Sequence, residues 1–544
     1  MLNDINNIKR QLKRIDSFVI LLGLLYIIVP ILIFLLKFTR PGFFIFGLIL
    51  FLYLIFKVMA SVPDGTGFSN EEILNRKSLL FILISTVVFC VWIFFSGIGS
   101  FSFQNWDFWV RNPIYNDLIN KPWPLYYNLE AQPEYVTNLI GGEWVAFAYY
   151  FTFWLTPACI CKVMNFTGTA AQIILYMYAL CGVIIINYLL SRLFKKFSWK
   201  ITAILMMFSG LDVVAYLIQN LRLPALTEEL EWSLLHYQLS GNTTQLYYVF
   251  NQSIPIWIIM LLILNIDVPA IMAGIASICF AYSPWATIGL VPLTAIGMLT
   301  NRKDLDSSEN KSSISAWRII KNCISIVNIL VPVFLLLIFG LYYTASSGSD
   351  GGKGFYFFTT EATLSEYIIG YVIFILTEFV LFYIAMGKKV FSYRYSLTVL
   401  IELALFPLFY IVDFNFFIRG TIPALFILMV IAISYIVDET PSGLMRAGNT
   451  AESTGSISES ANNFSIRKKI FAALLIIGAL NSVVAISRSV IYTAQGGDYL
   501  QSDIQTFDDM TGANEYQILT TNSQFFVHGF ATKPFYMFIS KRGL

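Results

Sequence analysis

The sequence predicts an all-α polytopic membrane protein with about thirteen membrane-spanning helices, and three observations carry that prediction. Of 544 residues, 57% are hydrophobic, 16% aromatic and 12% charged, a balance that makes lipid the natural solvent for most of the chain. The apolar residues come in runs of membrane-crossing length. Lysines and arginines gather in alternate loops between those runs, the asymmetry that orients a polytopic protein with its basic loops in the cytoplasm. The net charge of +2, from 35 basic and 33 acidic residues, gives no overall field that points to nucleic acid or another polyanion.

Taken in order, Lys9, Arg10, Lys13 and Arg14 precede an apolar run at 18–36. It is long enough to span and no small-residue cleavage motif follows, so it reads as an uncleaved first helix with a cytoplasmic N-terminus. Runs at 43–60 and 79–98 give the next two spans, with Arg76 and Lys77 cytoplasmic. Lys37 and Arg40 violate the positive-inside rule in a turn too short to leave the head groups. After a polar and aromatic stretch at 100–142 comes another apolar run, 144–164. Counting it as a span would put Arg192, Lys195, Lys196 and Lys200 outside and invert every later loop. It is therefore expected to lie along, or dip into, the outer interface.

Spans at 171–193 and 201–218 then bracket a cytoplasmic basic turn, and 219–253 is an exterior loop. Runs at 254–266, 270–282 and 286–299 each fall below the roughly 20 residues of a full crossing, and short helices of this kind bend around a cavity. The remaining spans are 319–342, 367–386, 396–411, 421–437 and 470–486, with Lys388, Lys389, Arg394 and Arg467 to Lys469 cytoplasmic. The bundle occupies 1–487, with exterior loops at 99–170, 219–253, 343–366 and 412–420. Its cytoplasmic linker at 438–466 is rich in Ser, Gly, Asn and Glu and reads as disordered. Residues 488–544 form a small extracellular C-terminal segment, and the plasma membrane is the expected location.

The six cysteines, Cys90, Cys159, Cys161, Cys181, Cys279 and Cys323, lie in or beside apolar segments and read as packing residues. His236 and His528 are the only histidines, which argues against a multi-histidine zinc, copper or haem site. No internal repeat is present, which weighs against transporter folds built from inverted repeats.

The polar residues that call for explanation lie at the exterior ends of the helices. Asp107 sits among Asn105, Trp106, Trp109 and Arg111, and an acid flanked by tryptophans just beyond a helix end occupies a partly dry site. There a carboxylate acts as a base or a metal ligand, or simply pairs with Arg111. Asp212 follows Gly210 at the exterior end of its span. Arg419, in the exterior segment that opens with Asp413 and Asn415, stands next to a helix start, where an arginine grips phosphate or snorkels to the interface. His236, Gln238, Asn251, Gln252 and Trp257 add hydrogen bonders and rings suited to sugar, and Glu143 is a further exterior acid. Glu378 and Glu402, inside apolar spans, are either proton relays or protonated helix contacts.

This pattern resembles the GT-C glycosyltransferase superfamily: many helices, a large first exterior loop with an early acid, an interfacial helix, and a span ending in a basic turn. More closely, it is similar to bacterial GT-C-like membrane proteins with an Asn-Trp-Asp signature, matched by Asn105, Trp106 and Asp107. A second signature of theirs is loosely matched by Asn415, Phe417, Arg419, Ile422 and Pro423. The resemblance implies transfer of a sugar from a polyprenyl-phosphate donor to a glycan, teichoic acid, lipid or protein acceptor outside the cytoplasm. It gives Asp107 the role of base, Arg419 the donor phosphate, and Asp212 that of a second catalytic-site residue, an exterior acid that helps bind a cation or orient the acceptor.

The remaining expected substrate contacts are Asn105, Trp109, Arg111, Glu143, His236, Asn251, Gln252 and Asn415. A divalent cation, Mg or Mn, shared by Asp107 and Asp212 is the one cofactor suggested, although the loop lacks the paired Asp-Asp or Asp-Glu of better-known members. The alternative from another class is a lipid-linked glycan flippase or polymerase, or a proton-coupled transporter, working through Glu378 and Glu402.

Overall fold

The computed structural model describes residues 11, 14–63, 67–128, 144–231, 237–300, 316–346, 353–355, 363–411, 415–445, 461–496, 506–507 and 525–541. It is a helical bundle. The first hairpin is α1 (Ile15–Phe38) and α2 (Pro41–Ser61), the latter opened by a proline whose missing N–H no helix start needs. A capping box of Ser69 and Glu72 starts the short α3 (Asn70–Leu74), and Asn75 caps α4 (Arg76–Phe94). Next come α5 (Phe108–Asn120), strands β1 (Tyr126–Asn128) and β2 (Trp144–Phe147), α6 (Thr152–Met164) and α7 (Gly168–Leu193). Two half-helices, α8 (Trp199–Met207) and α9 (Asp212–Asn220), are separated by the non-helical residues 208–211.

The central helix α10 (Asn242–Ile266) is kinked at Val249. It is followed by α11 (Pro269–Ser277), α12 (Pro284–Leu299), α13 (Ala316–Cys323), α14 (Ile326–Tyr343) and β3 (Lys353–Phe355). Then α15 (Leu364–Ile375) passes through a π-helical turn, Leu376–Val380, into α16 (Leu381–Met386). The rest is α17 (Ser396–Leu405), β4 (Phe409–Ile411), α18 (Asn415–Gly420), α19 (Ile422–Val437), α20 (Ala461–Gln495) and β5 (Phe526–His528).

Among the described residues, ten helical stretches are long and apolar enough to cross a membrane, and four apolar helices are shorter. The ten match ten of the expected spans. Three of the short ones, Pro269–Ala281, Pro284–Leu299 and Ser396–Leu408, are the other expected spans. The fourth, the 13-residue Thr152–Met164, lies in the run held back from the count. Burial orders the bundle. The apolar window of α10 is 100% buried and that of Phe416–Val437 is 89% buried, against 28% for α4 and for α20. Leu83, Val87 and Val91 of α4 accordingly face outward, as lipid solvation allows.

Two expectations are corrected. The exterior loop at 219–253 ends at residue 241, because Asn242–Ser253 is already helix and buried. The run at 254–266 is therefore part of a full-length helix. The expected span at 319–342 is broken, since Ser325 caps a new helix at Ile326 after α13 ends at Cys323.

Charge pairs staple one end of the bundle. Asp16, fully buried at the start of α1, accepts from Arg192 Nε at 2.9 Å and from the Tyr188 hydroxyl at 3.2 Å, while Arg192 Nη1 reaches Asn265 at 2.9 Å. Arg394 pairs with Asp267 at 2.7 Å and donates to Thr300 at 2.9 Å. Buried charges persist only when paired in this way. At the other end β2 is the middle strand of an antiparallel sheet in the order β1-β2-β5, with Tyr126 opposite Ala146 and Val145 opposite His528. The segment after β5 returns to the first hairpin. Arg40 N donates to Ile539 O at 2.8 Å and Lys541 N to Phe38 O at 3.0 Å.

Candidate functional site

A cavity of about 250 Å³ lies at the sheet-bearing end of the bundle. Its wall is built from the segment before α5, the loop between α9 and α10, the first turns of α10, α18, and the last third of α20. The kink at Val249 matters locally, because Thr244, Tyr247, Tyr248 and Val249 all line the cavity and a straight helix would not turn the same groups there.

Asp107 stands on this wall, immediately before α5. Its N–H donates to Asn105 Oδ1 at 3.1 Å, and Asn105 Nδ2 donates to Tyr247 O at 3.0 Å, so the acid is tied to the kinked helix. One helical turn on, Arg111 Nη2 donates to Asp107 Oδ2 at 2.7 Å. The Arg111 guanidinium is stacked over Phe108 at 5.5 Å and Phe250 at 5.3 Å. Burial pushes its pKa down and Asp107 pushes it back up. Its Nη1 is buried without a hydrogen-bond partner. Arg419, from α18, is on the same cavity wall, and its Nε is also buried and unpartnered. Two guanidinium groups with spare N–H capacity and an exposed Trp106 beside one carboxylate make a site suited to an anion carrying a ring.

A second group of acids comes from the loop before α10. Glu228 pairs with Arg222 at 2.5 Å, and Glu229 with Arg488. Arg488 also donates to the Tyr248 hydroxyl and lies over the Phe103 ring at 5.7 Å. Glu231 differs. Its carboxylate accepts from Gln238 Nε2, Gly241 N and Asn481 Nδ2, each at 2.9 Å. Burial, followed by the nearby Asp212 charge, pushes Glu231 up to about 7. Behind it, Asp212 accepts from Ser209 Oγ at 3.0 Å and Asn481 Nδ2 at 2.9 Å. Glu378, in the π-helical turn, closes against Gly210, where any side chain would collide with its carboxylate.

The structure thus brings Asn105, Asp107 and Arg419 together on one wall, with Arg111 directly behind. Asp212 belongs to the layer under Asn481 rather than to the wall, and Asp107 and Asp212 are held by different neighbours. Among the described residues no group of three or more His, Cys, Asp or Glu is arranged to hold a metal ion. Asn251 and Gln252 are corrected from loop to helix: they sit just past the kink in α10, each 1% exposed. Both amide atoms of Asn251 and Oε1 of Gln252 lack hydrogen-bond partners. Trp109 is half-buried against the core and does not line the cavity. Asn415 opens α18, but its side chain, like Glu143 and His236, lies outside the described residues.

Sequence reasoning missed Asn481, Arg488 and Tyr248. The first two are seven residues apart in α20, two helical turns on one face, which was a usable signal.

Fold and site define an all-α polytopic membrane protein with a charged, aromatic-lined cavity at one end. No protein-family model, no curated protein and no solved structure matches the chain.

Proposed function

We propose that this cavity is the active site of a GT-C-type glycosyltransferase that moves a sugar from a polyprenyl-phosphate donor to a cell-envelope acceptor on the extracytoplasmic face. One observation carries the reading. Asp107 and Arg419 share one cavity wall, and Arg419 keeps a buried, unpartnered Nε–H. Asp107 accepts the proton of the acceptor hydroxyl as its oxygen bonds to the anomeric carbon. The bond from that carbon to the phosphate oxygen breaks, and its electron pair leaves with the lipid phosphate. Arg419 stabilises the charge gathering there. Arg111 orients the base, and its own spare Nη1–H adds to the positive side of the site.

The direct test is transfer of radiolabelled sugar from synthetic polyprenyl-phosphate donors by purified wild-type protein and Asp107→Asn, with wall polymers as acceptors. Transfer by wild type alone is expected, with the variant down by about 10²- to 10⁴-fold. Full activity in the variant would sink the mechanism.

A second reading has its own observation. Glu402, in α17, is buried with both carboxylate oxygens unpartnered, and Glu378 has an unpartnered Oε2. Acids inside apolar helices are the working parts of proton-coupled transporters and of flippases for lipid-linked glycans. If Glu378→Gln and Glu402→Gln abolish activity while Asp107→Asn does not, transport is the better account.

A further inference from the structure

Four carboxylates line the cavity, and three of them face an arginine: Asp107 with Arg111, Glu228 with Arg222, Glu229 with Arg488. Glu231 is the exception. Its three donors, Gln238, Gly241 N–H and Asn481, are all neutral. Asp212 and Glu378 stand behind it, and among the described residues none of these three acids forms an ion pair with a lysine or arginine; the polar groups around them are Ser209, Gln238, Thr244 and Asn481. The cavity is thus lined by a guanidinium with an unpartnered N–H, Arg419, and by a carboxyl group without a cationic partner, Glu231. Tyr247 adds a second unpartnered group: the residue is 5% exposed, lines the cavity, and its hydroxyl has no hydrogen-bond partner within the protein.

We propose that the Glu231 wall is an ammonium subsite, so that the cavity takes a zwitterionic head group with its phosphate on Arg419 and its protonated amine on Glu231 and Tyr247. This rests on the reading of the cavity as a sugar-phosphate site and narrows the donor to one bearing an amino sugar. A neutral sugar hydroxyl fills hydrogen-bonding capacity alone, whereas an ammonium also stabilises the ionised form of the buried Glu231 carboxyl. The same chemistry, phosphate and ammonium a few bonds apart, also occurs in phosphoethanolamine lipids, so the test separates the two sources.

The experiment is calorimetric titration of the purified full-length protein with glucosamine 1-phosphate, glucose 1-phosphate and phosphoethanolamine. The two sugars differ only in an ammonium for a hydroxyl. Glucosamine 1-phosphate is expected to bind about tenfold or more tightly than glucose 1-phosphate. Glu231→Gln removes that preference and Arg419→Gln weakens both sugars. Equal affinity of the wild type for the two sugar phosphates overturns the ammonium subsite and leaves the sugar-phosphate reading standing. Binding of phosphoethanolamine in preference to either sugar supports the subsite and overturns the amino-sugar donor. Failure of all three to bind overturns both. The comparison of ligands on wild-type protein needs no variant to fold.

Discussion

Asp212 and Glu231 share a single donor, the side-chain amide of Asn481, which lies 2.9 Å from each carboxylate. That amide is the seam between the cavity wall, which Glu231 lines, and the buried layer of Asp212 and Glu378 beneath.

The seam gives the protein a pH signature. Glu231, pushed up to about 7, binds a proton more tightly in the folded state than in the unfolded chain. Its contribution to stability is therefore present at low pH and is lost as pH rises from the ordinary carboxylate range through about 7. The full swing is about 3 kcal/mol, from about 1.4 kcal/mol per pKa unit. Thermal unfolding in detergent is expected to show the wild type less stable at pH 8 than at pH 5.5, with Glu231→Gln flattening that difference. A profile unchanged by the substitution would remove Glu231 as its source.

Arg419→Gln keeps a side chain of similar shape and loses the charge. Donor binding is expected to weaken by about 10- to 100-fold, the range of a hydrogen bond to a charged group. Binding of a labelled polyprenyl phosphate to the variant in nanodiscs measures it directly. Arg419→Lys is expected to recover only part of the loss, since lysine offers a point charge without the planar fork.

Arg192→Met removes the main partner of Asp16 and leaves an acid buried among helices. A loss of about 3–5 kcal/mol is expected, read as a fall in the denaturation midpoint. The double variant with Asp16→Asn is expected to recover much of it, because the uncompensated charge is then gone.

Gly289→Ala connects packing to the site. A Cβ at Gly289 of α12 would collide with the carbonyl oxygen of Gly420, the residue after Arg419. The helices must move apart at about 1–3 kcal/mol, and Arg419 moves with them. Both the unfolding temperature and sugar transfer are expected to fall. Gly340→Ala, whose Cβ would meet only Phe280 at 4.0 Å, serves as the neutral control.

Much of this architecture was legible in the sequence because lipid imposes length and charge rules on every helix. The ten long helices followed from those rules alone, and the run at 144–164 is a short strand and a 13-residue helix. The start of α10 was not legible. Asn242, Thr243, Thr244, Gln245, Asn251 and Gln252 read as loop, yet tertiary packing buries them in a helix where Asn242 donates to Leu205 O and Thr243 to Met206 O. In the site, Asp107, Asn105 and Arg419 stood out because a charge or amide among aromatics at a helix end is unusual. Glu231 did not, being one of several acids in a loop; only its three-dimensional separation from any arginine sets it apart. Asn481 was hidden inside an apolar span, where hydropathy averages over single residues.

The contacts of Arg40 with the segment beyond β5 span nearly the whole polypeptide, Arg40 and Met537 being 497 positions apart, and the pairing of β5 with β2 spans well over half of it. The first hairpin and the β2 strand are thus made well before their partners and spend most of translation with these backbone groups unclaimed. An edge strand left open for that long is a template for pairing with other chains. Segment 525–541 acts as a late fastener, and its arrival marks the moment when this end of the molecule stops being a hazard to its neighbours.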